Sequence, residues 1–129
     1  GVPAPDLIAL ATAVARGRLA TAQRRYAQAA DHYRAAIALE RKIPYQEPAY
    51  WYYPVHQSLG AALFLAGRPD DASAAFRQAL IKAPNNGWAL YGLARAEAAQ
   101  GHKAEAAAAR KALISAWSGD PDWLRMNRL

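Results

Sequence analysis

Residues able to do chemistry are few in this chain of 129 amino acids, and their spacing does not bring them together. The three histidines, His32, His56 and His102, stand far apart. No HExxH or His-x-His pairing and no Asp-rich loop exists to build a zinc or calcium site. Cysteine is absent, which removes thiol nucleophiles, Cys-bearing zinc sites and disulfides together. Ser58, Ser73, Ser115 and Ser118 sit in no GxSxG elbow, and the glycines form no phosphate-cradling loop. Glu47 beside His56 is the one acid–imidazole pair near an aromatic cluster, and a surface ion pair accounts for it. With no catalytic set, metal site or cofactor motif, the chain reads as a non-enzyme without a cofactor.

Composition points to helices. Of the 129 residues 53% are hydrophobic and 34 are Ala, against 2 Phe and 1 Met. Ala is the best helix former and lets backbones approach, whereas an all-β domain would be led by β-branched and aromatic residues. A net charge of +6 and a pI near 9.9 invite a nucleic-acid reading. The distribution argues against it: residues 1–42 carry +4, residues 43–86 are neutral and residues 87–129 carry +2, with no block of five like charges. A solvated basic surface explains that pattern better than a binding stripe. No apolar run approaches the roughly 18 residues of a membrane span and no signal peptide is visible, so a soluble chain of undecided compartment is expected. The chain opens Gly-Val-Pro without Met, which suggests a processed protein or a fragment.

The elements that must position any site follow from periodicity. Ala72, Ala75, Phe76, Ala79 and Leu80 form one helical stripe within residues 68–84. Pro69 suits the first helical position, Asp70 and Asp71 the first turn, Lys82 the last, and Pro84 the stop. Upstream, Val55, Leu59, Ala62, Leu63 and Ala66 make a second stripe that ends at Gly67, a natural C-cap. This hairpin recurs at a 34-residue step, with Leu59 mapping to Leu93, Gly67 to Gly101, Ala72 to Ala106 and Leu80 to Ile114. It recurs upstream at a 43-residue step, with Gly17 mapping to Gly60, Ala29 to Ala72, Tyr33 to Phe76 and Ala36 to Ala79. The nine extra residues fall in an aromatic, proline-rich run from Ile43 to Pro54 without helical period. The reading is one all-α domain over residues 1–129, with helices near 7–23, 26–42, 54–66, 69–82, 87–100 and 103–116. They pair into hairpins at about 7–42, 54–82 and 87–116, with the insert at 43–54 and a C-terminal cap at 120–128. Gly60, Ala72 and Ala79 serve as holes where helices cross, and Leu59, Leu63, Phe76 and Leu80 as knobs.

LGAALFLAGRPDDASAAFRQALIKAP resembles the tetratricopeptide repeat, through Leu59-Gly60, Gly67, Ala72, Phe76, Ala79-Leu80 and Pro84. The first repeat keeps Ala29, Tyr33, Ala36 and Ile37 but has Arg24 at the turn glycine. The third keeps Leu93, Gly101 and Ala106 but has Ala94 for the glycine and Arg110 for the aromatic. A narrower similarity is to the C-terminal repeats of larger bacterial tetratricopeptide proteins of unassigned role. It rests on Tyr45, Glu47, Pro48, Trp51-Tyr52-Tyr53-Pro54 and Asn86-Gly87-Trp88.

The resemblance implies a solenoid with a concave groove along its first helices. By that geometry Arg18, Gln57, Ala61, Phe64, Trp88, Tyr91 and Arg95 face the groove, where two Arg flanking aromatics suit an extended acidic or carboxylate-bearing segment. The Lys/Asn set that clamps chaperone tails in some family members is missing, since Val14, Arg18, Gln57 and Ala61 stand there. The insert offers a second surface, Tyr45, Glu47, Tyr50, Trp51 and Tyr52, either as a recognition patch or as a lid whose Trp51 and Tyr53 pack on the first two hairpins. The expected function is a non-catalytic interaction or scaffold domain for a protein or peptide partner. Two other readings stay open: an accessory domain of a larger exported or enzymatic protein, and a basic nucleic-acid or anionic-surface binder. At the ends, Asp120-Pro121-Asp122 should start a short helix that folds Trp123, Leu124 and Met126 back over the third hairpin. Leu7, Ile8, Leu10, Val14 and Leu19 leave the N-terminal helix open to a preceding repeat or a second copy.

Overall fold

A computed structural model describes residues 4–42, 53–117 and 119–129. Among the described residues six α-helices follow one another: α1 Ala4–Ala22, α2 Tyr26–Glu40, α3 Val55–Leu65, α4 Pro69–Lys82, α5 Gly87–Ala99 and α6 Lys103–Ala116. Two short 3-10 turns, Pro121–Trp123 and Met126–Arg128, complete the chain, and no strand occurs among the described residues. Each helix packs on the next, and α3 also touches α5, so the six form a stack of three hairpins. Periodicity placed every helix within three residues of its observed ends; α1 begins earlier than read, at Ala4.

Local chemistry sets the turns. After α3, the Gly67 amide donates to the Phe64 carbonyl (3.0 Å) and the Arg68 amide to the Leu63 carbonyl (2.9 Å), a Schellman closure that puts Gly67 at φ +82°. After α5 the same pair of bonds runs from Gly101 to Ala98 and from His102 to Glu97, with Gly101 at φ +78°. After α1 it runs from Arg24 to Thr21 and from Arg25 to Ala20, and there Arg24 takes the left-handed position at φ +59°. A side chain in that conformation costs roughly 1–2 kcal/mol, which the first hairpin tolerates because its helices are the longest of the three.

Two aromatic wedges hold the stack. Tyr33 and Phe76 are almost fully buried, and each ring lies against a glycine of the facing helix. A Cβ on Gly17 would meet Tyr33 Cε1 at 2.5 Å, and one on Gly60 would meet Phe76 Cε1 at 2.7 Å. Gly92 of the next hairpin closes on Phe76 from the other side. The 43- and 34-residue steps carry the Gly17–Tyr33 pair onto Gly60–Phe76 and then onto Ala94–Arg110. The third hairpin lacks both partners: without the aromatic, no hole is needed. It is correspondingly thin, with Ala106 and Ala109 the buried residues of α6.

The tail departs from expectation. Asp120 does open a turn, its carboxylate accepting from the Asp122 amide at 2.9 Å, with Pro121 first. The chain then runs on past the third hairpin, and the turn at Met126–Arg128 packs on α3. Trp123 is 59% exposed, while Met126 and Leu129 are buried. The reason is room: α3 still offers an apolar surface, whereas α6 offers mostly Ala and charge. On α1, Leu10 and Val14 are buried, and Ile8 and Leu19 are exposed at 66% and 58%.

Candidate interaction groove

The repeat register makes Arg18, Ala61 and Arg95 equivalent positions on α1, α3 and α5, as it does Val14, Gln57 and Tyr91. At the α1 end of this face, the Arg18 guanidinium donates from Nη1 to the main-chain oxygen of Leu129 at 3.2 Å. Ser58, 2% exposed on α3, donates its hydroxyl to the same oxygen at 2.7 Å. A serine hydroxyl has one hydrogen, so the Tyr53 O–H, 3.0 Å away, donates to Ser58 in turn. Met126 and Leu129 enter the same apolar core as Val14, Leu59 and Ala61. The 3-10 turn Met126–Arg128 and Leu129 after it are thus held on α1 and α3 by one twice-bonded main-chain oxygen and two buried side chains.

At the α5 end the Arg95 guanidinium lies 5.9 Å from the centre of the Phe64 ring, within cation–π range. Tyr91 is half-buried against the core. Gln57 is mostly withdrawn at 7% exposure, and its Oε1 accepts from Asn86 Nδ2 at 2.8 Å. Asn86 also caps α5, accepting from the Ala89 amide at 3.2 Å. Trp88 meets Trp117 edge to face, centroids 5.2 Å apart at 85°. Pro54, Gln57, Asn85, Asn86 and Trp88 line an open cleft of about 640 Å³ where α3 and α5 begin. The sequence-derived groove residues therefore do not form one set: Arg18 is on the tail, Arg95 on Phe64, Gln57 and Trp88 are at the cleft, and Tyr91 packs against the core. Of the insert residues, Tyr45, Glu47, Tyr50, Trp51 and Tyr52 lie outside the described residues, and so does the Glu47–His56 pairing.

A family model described as tetratricopeptide repeat matches residues 63–126. That half of the chain belongs to the tetratricopeptide repeat (TPR) family. No curated protein sequence matches the chain. The TPR match spans the end of α3, α4, α5, α6 and part of the tail, while the first hairpin outside it repeats the same Schellman turn and glycine–aromatic wedge. TPR hairpins are in general protein–protein interaction modules and typically not catalytic. Among the described residues no helix is long and apolar enough to cross a membrane, and no three His, Asp or Glu side chains gather to hold a metal ion.

One polar cluster in the TPR stack escaped the sequence reading. Glu97 on α5 is 1% exposed; Arg77 Nη2 of α4 pairs with its Oε1, and His102 Nδ1, at the start of α6, donates to its Oε2 at 2.6 Å. Burial pushes the carboxyl upward, but the His102 hydrogen bond and the Arg77 charge outweigh it and hold Glu97 below the usual carboxylate range. Gln100 Nε2 adds bonds to Ser73 Oγ (2.8 Å) and the Pro69 carbonyl (3.1 Å). These contacts brace the third TPR hairpin on the second. The available signal was a lone carboxylate at position 97, on the stripe of Leu90 and Ala94. His56 is half-buried, and burial first, then the Lys82 and Arg41 cations, lower its pKa against the opposing pull of Glu40.

Proposed function

We propose that this chain is a non-catalytic TPR interaction domain that takes an extended peptide segment of a partner protein on its α1–α3–α5 face. The supporting observation is that a short segment of this chain, a 3-10 turn and the residue after it, already lies on α1 and α3, with Arg18 and Ser58 on the main-chain oxygen of Leu129 and the Met126 and Leu129 side chains buried. Main-chain recognition plus spaced apolar anchors is how peptide grooves combine affinity with specificity. Arg95 and Phe64 continue the face toward α5, where a longer ligand would extend. The test is affinity capture with the full chain as bait beside an Arg18→Ala/Arg95→Ala variant of unchanged helical content. Partners held by the wild type and lost from the variant support the reading. Identical captured sets overturn it.

A further inference from the structure

We infer that residues 119–129 are a removable occupant of the groove, so that a partner peptide of like chemistry binds by displacing this chain's own tail. The inference rests on the groove reading above and adds to it the ligand's pattern and its competitor. The tail is docked at few points. Of its described residues Met126 and Leu129 are buried and Leu124 half-buried, while Gly119 to Trp123, Arg125, Asn127 and Arg128 are exposed. The described hydrogen bonds that join it to the helices both converge on the Leu129 oxygen, from Arg18 and Ser58. Its own amides bond locally: Arg128 to the Arg125 carbonyl and Leu129 to that of Met126. A structural cap would be tied down along its length; this segment is pinned at one end, by a pattern that a foreign peptide can reproduce. The pattern is two apolar side chains three residues apart, the second carrying a main-chain oxygen between Arg18 and Ser58. The hydroxyl of Tyr53, the last residue but one of the insert, reaches the same point through Ser58, so the insert's end and the tail meet at one polar junction.

A tethered competitor acts at the millimolar effective concentration that a short linker provides, and it lowers apparent affinity by the fraction of time that the groove stands open. The experiment uses the full chain and a fluorescein-labelled synthetic peptide of residues 119–129, read by anisotropy. Met126→Ser/Leu129→Ser in the protein loosens the tail and leaves the groove walls intact. The loosened variant is expected to bind the peptide at least tenfold more tightly than the wild type, and added Arg18→Ala should reverse most of that gain. Equal binding by wild type and loosened variant overturns the displacement idea and leaves the groove reading standing. No binding by either, with the variant's helicity and cooperative melting preserved, overturns both. Should the variant fail to fold, hydrogen exchange on the wild type decides: amides 124–129 are expected to exchange at least a hundredfold faster than those of α3. Exchange of the tail only together with α3 would make it a permanent part of the core and refute the proposal.

Discussion

Replacing Gly60 by Ala sets helix propensity against packing. In a solvated helix the change would stabilise by about 1 kcal/mol, because Ala loses less backbone entropy and shields the helix better. Here the new Cβ would lie 2.7 Å from Phe76 Cε1 and 2.9 Å from its Cζ, against an ordinary carbon separation of about 3.5 Å. The ring cannot retreat, because Phe76 is fully buried and Gly92 holds it from the opposite side. Overpacking of this kind costs about 1–3 kcal/mol, and with both faces of the ring blocked the upper end applies. The net loss is then about 2 kcal/mol, or about 8 °C in Tm for a domain of this size. The assay is thermal and urea unfolding followed by circular dichroism. Phe76→Leu in the same chain should recover at least about 1 kcal/mol of the Gly60→Ala loss as a coupling energy. At the equivalent third-repeat position, Ala94→Gly should destabilise by about 1 kcal/mol, since Arg110 leaves no ring to accommodate. A Gly60→Ala chain as stable as the wild type, or more so, would refute the wedge account.

Arg24→Gly should stabilise the chain by about 0.5–1 kcal/mol in urea titrations, the relief of the left-handed residue exceeding glycine's extra unfolded-state entropy. Glu97→Ala should cost about 2 kcal/mol and loosen α6 first, seen as faster hydrogen exchange there. Because the folded pKa of Glu97 is depressed, its contribution is full above the ordinary carboxylate pKa of about 4.3 and is lost as pH falls below it. Glu97→Gln should therefore flatten the acid limb of the stability curve. His56 also has a depressed pKa in the folded chain, so the unfolded chain takes up its proton first and stability drops as pH falls through about 6.5. His56→Gln should reduce the shift in urea midpoint between pH 7.5 and pH 5.5; an unchanged shift would remove His56 as its source.

The helices were legible because each repeat writes its stripe in local sequence, the second and third add a turn glycine, and the recurrence at 34 and 43 residues cross-checks them. The role of Gly60 was legible too, since the repeat pattern pairs it with an aromatic. Arg18 and Arg95 could be placed at equivalent positions, but what each touches could not. The partner of Arg18 is 111 residues away in sequence, and no local pattern encodes such a separation. The tail's route differs from the expected one for the same reason: Trp123, Leu124 and Met126 announce an apolar anchor but not which helix receives it. Glu97 was overlooked because its partners, Arg77 and His102, come from different helices and read singly as surface charges.

A linear array of hairpins ordinarily frays from its ends, since each terminal unit has one neighbour instead of two. In this chain the bond from Arg18 to Leu129 closes the array into a circuit, joining the last residue described to the first helix. Unravelling the weak third hairpin then requires either unclasping the tail or dragging on α3. While the tail stays docked, the first and third hairpins are thereby coupled. The same clasp raises the sequence separation of native contacts, so forming it is a long-range loop closure rather than a local zippering step. A ligand that displaced the tail would reopen the circuit and restore independent fraying, making the cooperativity of unfolding itself a readout of occupancy.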